Sequence, residues 1–281
     1  MTPNWCMVMS ASDRRRLNLC FVGWGAIARR VGELLSERHS HGVNIVAVAV
    51  RDHHRQRQDL PAEVRLISEP GELAGLDIDM VIEAAGRDAV AVWGEAALRY
   101  AASFIVSSTS AFCDDVLLER LISVAKETGS RIVIPSGALG DLGALAAAGI
   151  LPLQEVVHTI VKPPRAWRGT PAETMLDLET LAVASPFFDG SAREAADRFP
   201  QNANVAVISA LSGIGLDKTR VVLVADPAAR RNAHRVEASG AFGRLDLTLE
   251  NEPLATNPKS SEMTALSLVR LVENAVAPLV R

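Results

Sequence analysis

Cysteine is scarce in this chain of 281 residues: only Cys6, Cys20 and Cys113 are present. An odd, widely scattered set without ligand or redox spacing excludes a disulfide framework and a cysteine-held metal site. Reduced thiols in the cytoplasm follow. Long apolar runs are also missing, since no window reaches the roughly 18–20 apolar residues that a membrane span needs. In the opening MTPNWCMVMSASDRRR the charges come after the mildly apolar part, the wrong order for a secretory signal. Residues 1–15 therefore read as a flexible extension. Nor is there an excess of positive charge: the formal net charge is -4, which argues against a nucleic-acid partner. The cluster Arg14-Arg15-Arg16 reads as a solvated segment. Internal repeats and low-complexity stretches are absent.

What the chain does have is strands alternating with helices. LNLCFV (17–22) is a short apolar run ending at glycine, and VNIVAVAV (43–50) is a β-branched run. MVIEA (80–84), residues 103–106 and RIVI (131–134) repeat the pattern. Each reads as a buried strand. Helical spacing connects them over about 26–38, 90–101 and 115–127. Nearly continuous apolar strands separated by helices imply a doubly wound parallel sheet covered on both faces. After about Leu153 the pattern changes to helices near 192–198 and 205–211. Strands are expected at 156–161, 221–225, 234–240 and 244–250, and a last helix at 263–280. The expected fold class is α/β: a Rossmann-type dinucleotide-binding domain (16–136) and a smaller α+β substrate and dimerisation domain (137–260). The C-terminal helix (261–281) is expected to pack back on the first domain.

The first strand runs into Gly23-Trp24-Gly25-Ala26-Ile27-Ala28. A G-x-G-x-x-G/A pattern alone is weak; between a strand and a helix it reads as a dinucleotide cradle. Gly23 permits the tight turn, Gly25 lets the backbone approach a pyrophosphate, and Ala28 allows close helix–strand packing. Ala26 and Ile27 open the helix whose N-terminal N–H groups face the phosphates. At the end of the second strand stand Arg51 and Asp52, followed by His53, His54 and Arg55. A carboxylate there suits the ribose hydroxyls of NAD and an arginine the 2′-phosphate of NADP, so use of either cofactor is expected.

Several later segments are not explained by fold alone. Among them are KPPRAWRGTPAE (162–173), FPQNANVAV (199–207), GIGLDKTRVVLVADP (213–227), NAH (232–234) and GAFG (240–243). Together they resemble the L-aspartate dehydrogenase family over about residues 17–275. The resemblance implies a Rossmann domain joined to an α+β domain, usually in a homodimer. It also implies NAD- or NADP-dependent conversion of L-aspartate to iminoaspartate, which can feed NAD biosynthesis. It implies that His234 is the catalytic residue and that Ala138 and Asn204 contact the cofactor. One departure stands out. The family's Gly-Gly-Leu-Asp after Ser-Gly-Ala is here Gly140-Asp141-Leu142-Gly143, which moves the acidic residue by two positions.

Oxidising an amine requires a neutral amine, an α-carbon in contact with the hydride acceptor, and cations for the substrate carboxylates. Histidine exchanges protons near neutral pH, which suits His234. Asn232 is a candidate for orienting the substrate or that ring. Lys162, Lys259, Arg165 and Arg168 are candidates for the carboxylates. His158 reads as a structural residue on an apolar strand. Two alternatives stay open: a related reductase of a small dicarboxylate or semialdehyde, similar to dihydrodipicolinate reductase, and a dinucleotide-binding sensor without catalysis.

Overall fold

The computed structural model describes residues 15–39, 42–52, 59–200 and 203–280. The opening extension up to residue 14, and His53, His54 and Arg55, lie outside them. In the first half, six parallel strands lie in the order β3-β2-β1-β4-β5-β6. They are β1 (Leu17–Val22), β2 (Val43–Ala49), β3 (Arg65–Ile67), β4 (Met80–Glu83), β5 (Ser103–Val106) and β6 (Arg131–Val133). This is the doubly wound arrangement, with its switch point between β1 and β4, where the strand order reverses.

The period of two along each strand distributes the core between two layers. Cys20 and Val22 of β1, with Val81, Phe104 and Val106, pack under α2 (Arg87–Tyr100) and α3 (Asp115–Thr128). Leu19 and Phe21, with Val48, Ile82 and Ile105, face the opposite layer. There α1 (Ala26–His39) supplies Ala28, Val31 and Leu35. The rest of that face is covered by the last helix, α7 (Glu262–Val276), through Ala265, Leu268, Val269 and Val272. Ion pairs Arg30–Glu262 (2.7 Å) and Arg38–Glu273 (2.6 Å) join α7 to α1. Being partly exposed to solvent, they add little beside the apolar contact. The sequence pattern carried the last helix on to Val280, but it ends at Val276. Ala277 precedes Pro278 and is extended (ψ 142°), as the proline ring requires.

The second sheet has five strands in the order β11-β10-β7-β9-β8. These are β7 (Leu153–Lys162), β8 (Ser185–Ser191), β9 (Arg220–Ala225), β10 (Asn232–Gly240) and β11 (Gly243–Asn251). It is mixed, since β7 and β9 are parallel and the other pairs antiparallel. Between the two sheets lies α6 (Ala203–Ser212), ANVAVISALS. A helix apolar all round is expected to be buried, and residues 206–210 are. Asn204 anchors its start: Thr109 Oγ1 donates to the Asn204 carbonyl (2.9 Å) and the Ser110 N–H to its side chain (3.0 Å). At the far end of β10, a Cβ on Gly240 would lie 2.5 Å from the Pro152 carbonyl oxygen, so the close approach of β10 to β7 there needs glycine.

Candidate active site

The glycine loop is shaped by contact with the β4–α2 connection. Gly23 has φ +91°, and a Cβ on it would lie 2.7 Å from the Ala85 Cβ. Its N–H donates to the Ala49 carbonyl at the end of β2 (2.9 Å). Nothing would lie within 4 Å of a Cβ on Gly25, so its backbone is open to an approaching group. Between them, the Trp24 indole packs edge-on against Phe21 and donates to Asp59 (2.9 Å). Gly23 and Gly25 line a groove of about 670 Å³ whose far end holds Arg51 and Asp52, both exposed.

The groove shares Ala84, Ala85 and Gly86 with a second cleft of about 310 Å³. Ile27, Ala138 and Asn204 line this cleft, as do Asn232, Lys162, Lys259 and His234. The structure thus brings residues from both halves of the chain, 27 to 259, to one place. Ala26 is the first residue of α1 but lines a neighbouring cavity instead. Arg165 is exposed and does not line the cleft, and Arg168 pairs with Glu179 (2.5 Å), so neither is brought to the site. The displaced acidic residue is also elsewhere. Asp141 accepts from the Gly143 N–H (2.7 Å) and from Arg270 (2.9 Å), and both bonds hold its carboxyl below its usual range.

The floor of the cleft is fixed by a residue that the sequence reading passed over. Glu83, at the end of β4, is fully buried. Its carboxylate accepts from the N–H groups of Ala85 (2.7 Å), Gly86 (2.8 Å) and Ser108 (2.9 Å) and from the Ser108 hydroxyl (2.9 Å). One anion therefore holds together the loops after β4 and β5. Beside it, the buried Ser107 hydroxyl has no hydrogen-bond partner among the described residues, and Ser107 lines the cleft. Ser107 and Ser108 were legible in principle, because ligands of doubly wound sheets sit outside the carboxyl ends of the strands.

His234 is 5 % exposed, on the inward face of β10. Its Nδ1 lies 3.2 Å from Nε2 of His158, whose Nδ1 lies 3.0 Å from the Ser209 hydroxyl. Burial pushes His158 down to about 3, and His234 well below the ordinary histidine value. For His234, burial is the first cause, followed by His158 and the charge of Lys162. Both rings are therefore neutral at physiological pH. Lys162, at the end of β7, is lowered to about 8 by burial, and its ammonium sits 5.1 Å from the centre of the Trp167 ring. Behind the cleft, the Asn251 amide donates to the Ala138 carbonyl (2.8 Å), holding that backbone in place.

The residues present fit a dinucleotide. Gly23 has no room for a side chain against Ala85, and the open backbone at Gly25 leads onto a helix start, which is where a pyrophosphate binds. The groove leads directly into a cleft with an unpartnered buried hydroxyl, Ser107. Buried polar groups of this kind normally have a partner, and a bound ligand supplies one. Among the described residues no group of histidine, cysteine and carboxylate side chains could hold a metal ion.

Two family models match successive parts of the chain. Residues 23–135 match the family model described as homoserine dehydrogenase, NAD binding domain. Residues 143–275 match the model described as aspartate dehydrogenase, C-terminal. The chain is 56 % identical to an L-aspartate dehydrogenase of Brucella anthropi over 96 % of its own length and 98 % of that protein's. It is 44 % identical to one of Pseudomonas aeruginosa, covering 92 % and 97 %. The crystal structure of an aspartate dehydrogenase from Thermotoga maritima superimposes with a TM-score of 0.74 at 28 % identity, covering 95 % of this chain and all of that one.

Proposed function

The chain belongs to the L-aspartate dehydrogenase family, and from that premise we propose that it oxidises L-aspartate to iminoaspartate with NAD or NADP. Water then converts the imine to oxaloacetate and ammonia. The observation that carries the reading is the meeting of His234, Lys162 and Lys259 in one cleft that continues the glycine-loop groove.

The oxidised nicotinamide supplies a hydride acceptor when bound. Everything else falls to the chain. Gly23, Gly25 and Ile27 receive the dinucleotide at the start of α1, and Ala138 and Asn204 border its reactive end. Lys162 and Lys259 receive the two carboxylates of the substrate. A carboxylate beside Lys162 restores the ammonium that burial weakens. His234, held neutral by burial and by the nearby lysine, takes a proton from the substrate ammonium. The free amine then releases its α-hydrogen as hydride. After the ring releases that proton to solvent, it takes one from the water that adds to the imine. Asn232 orients the amine against the ring. Arg51 and Asp52 at the far end of the groove accommodate either a phosphate or free ribose hydroxyls.

A second copy of the chain is part of the proposal. Val157, Val161 and Val222 of the five-stranded sheet point away from the helices and belong to none of the buried clusters, which fits a homodimer. A cytoplasmic location is proposed from the free thiols of Cys20 and Cys113. Among the described residues no helix is long and apolar enough to cross a membrane.

The test is reduced-nicotinamide absorbance with L-aspartate, D-aspartate, L-glutamate and L-alanine, each with NAD and with NADP. Reduction with L-aspartate alone is expected. Reduction of neither cofactor by L-aspartate, with dinucleotide binding intact, overturns the assignment.

A further inference from the structure

A second histidine, His158, lies behind the active site. It takes no part in lining the cleft, yet it is buried and bonded to the ring that does the chemistry. His158 and His234 lie diagonally across the β7–β10 pair, since His234 is opposite Ile160 and His158 is opposite Val236. Side chains in such diagonal positions reach one another on the shared face. Here the result is a chain of polar atoms: the Ala206 carbonyl, the Ser209 hydroxyl, His158 and His234.

The direction of that chain follows from its far end. A carbonyl oxygen only accepts, so the Ser209 hydroxyl donates its single proton to Ala206 (3.0 Å). Ser209 Oγ must then accept from His158, which places the proton of His158 on Nδ1 (3.0 Å). A neutral imidazole has only one N–H, so His158 Nε2 is an acceptor. Its partner at 3.2 Å is His234 Nδ1, which must donate. The remaining nitrogen of His234, Nε2, is left with a bare lone pair and no bond among the described residues.

We propose that His158 is a positioning residue that holds His234 in the tautomer with Nδ1 protonated and Nε2 free to act as the base in the cleft. The hydrogen bond that one ring nitrogen makes decides the state of the other. When Nε2 takes the proton of the substrate ammonium, Nδ1 keeps its own and stays bonded to His158, so no proton moves along the relay. The amine, now neutral, has lost one proton and the ring has gained it. The other titratable side chains lining the cleft are Lys162 and Lys259. Among the described lining residues there is no carboxylate to compete for that proton. The proposal rests on His234 being the base of the reaction proposed above, but its first test does not need turnover.

That test is nitrogen NMR on the full-length protein labelled with ¹⁵N-histidine at neutral pH, with the His234 signals assigned by their loss in H234A. A protonated Nδ1 and an unprotonated Nε2 are expected for His234, and a protonated Nδ1 for His158. A proton on Nε2 of His234 means that the relay runs the other way and overturns the proposal. The kinetic arm compares H158L with H158Q, whose amide oxygen can still accept from His234 Nδ1. H158L is expected to lower kcat by roughly 100-fold, the lower range of general-base contributions. Its KM for the dinucleotide should be unchanged, and H158Q should recover most of the loss. Should H158L fail to fold, S209A removes the acceptor at the other end and is expected to lower kcat by about tenfold, the share of one hydrogen bond. Wild-type kcat in H158L or S209A refutes the positioning role. NMR in the expected state with no oxidation of L-aspartate by the wild type rejects the substrate assignment and leaves the tautomer standing.

Discussion

Lowering the pH from about 8 to about 5 should remove stability from this fold, and the magnitude follows from a single buried ring. An unfolded histidine takes up a proton near 6.5, whereas burial holds His158 neutral down to about 3. Between those values the unfolded chain binds a proton that the native chain refuses, so stability falls as the pH falls. Each such ring contributes a slope of up to about 1.4 kcal/mol per pH unit. Integrated from neutral pH to pH 5, His158 alone gives a loss of about 2 kcal/mol, a sizeable part of an ordinary folding free energy of roughly 5–15 kcal/mol. His234 is displaced in the same direction and deepens the loss. The depressed carboxyls, such as Asp141 and Asp189, act in the same direction but below the unfolded aspartate value near 4, outside this window. The assay is urea unfolding followed by tryptophan fluorescence at several pH values, on the wild type and on H158L. The wild-type midpoint should fall steadily below pH 6.5, and the fall should be shallower in H158L. Identical profiles in the two proteins refute the claim that His158 is neutral in the native state.

Three further outcomes follow from contacts at the site. In Gly23→Ala the new methyl meets Ala85 at 2.7 Å on a backbone of φ +91°; strain of about 1–3 kcal/mol should weaken dinucleotide binding by tenfold or more in calorimetry, with circular dichroism unchanged. Glu83→Gln replaces an acceptor of four hydrogen bonds with a group that also donates; unfolding should become easier by about 1.5–3 kcal/mol, and the KM for the dinucleotide should rise. Asp141→Ala removes an exposed ion pair with Arg270; it should cost under about 1 kcal/mol of stability and leave kcat unchanged, whereas a tenfold fall in kcat would return Asp141 to the active site.

Much of this molecule can be read from its sequence because long apolar strands and periodic helices declare themselves locally. β1 and β5 lie where their apolar runs stop, and α5 (Ala192–Arg198) where its capping serine and glutamate place it. What escaped the reading was short or contradictory. β3 is three residues long and means little without β2 beside it. β8, SPFFDGS, contains a proline and a glycine, and no strand was expected there. It is a strand because it lies at the sheet edge, where a missing N–H is tolerated. At the site, His234 and Lys162 were legible through their segments. The role of His158 was not, because the diagonal contact with His234 depends on a register between strands more than 70 residues apart, 3.2 Å between the two rings. Glu83 likewise looks like the polar end of a strand until the loops it holds are placed around it.

His234 is placed to perform chemistry on a substrate delivered beside the dinucleotide. H234A tests it most directly, with dinucleotide affinity measured by calorimetry and L-aspartate oxidation by absorbance on the same preparation. The dinucleotide affinity should stay within about threefold of wild type, and kcat should fall by 100-fold or more, the contribution of a general base. Wild-type turnover in H234A, or loss of dinucleotide binding in step with turnover, would contradict the account.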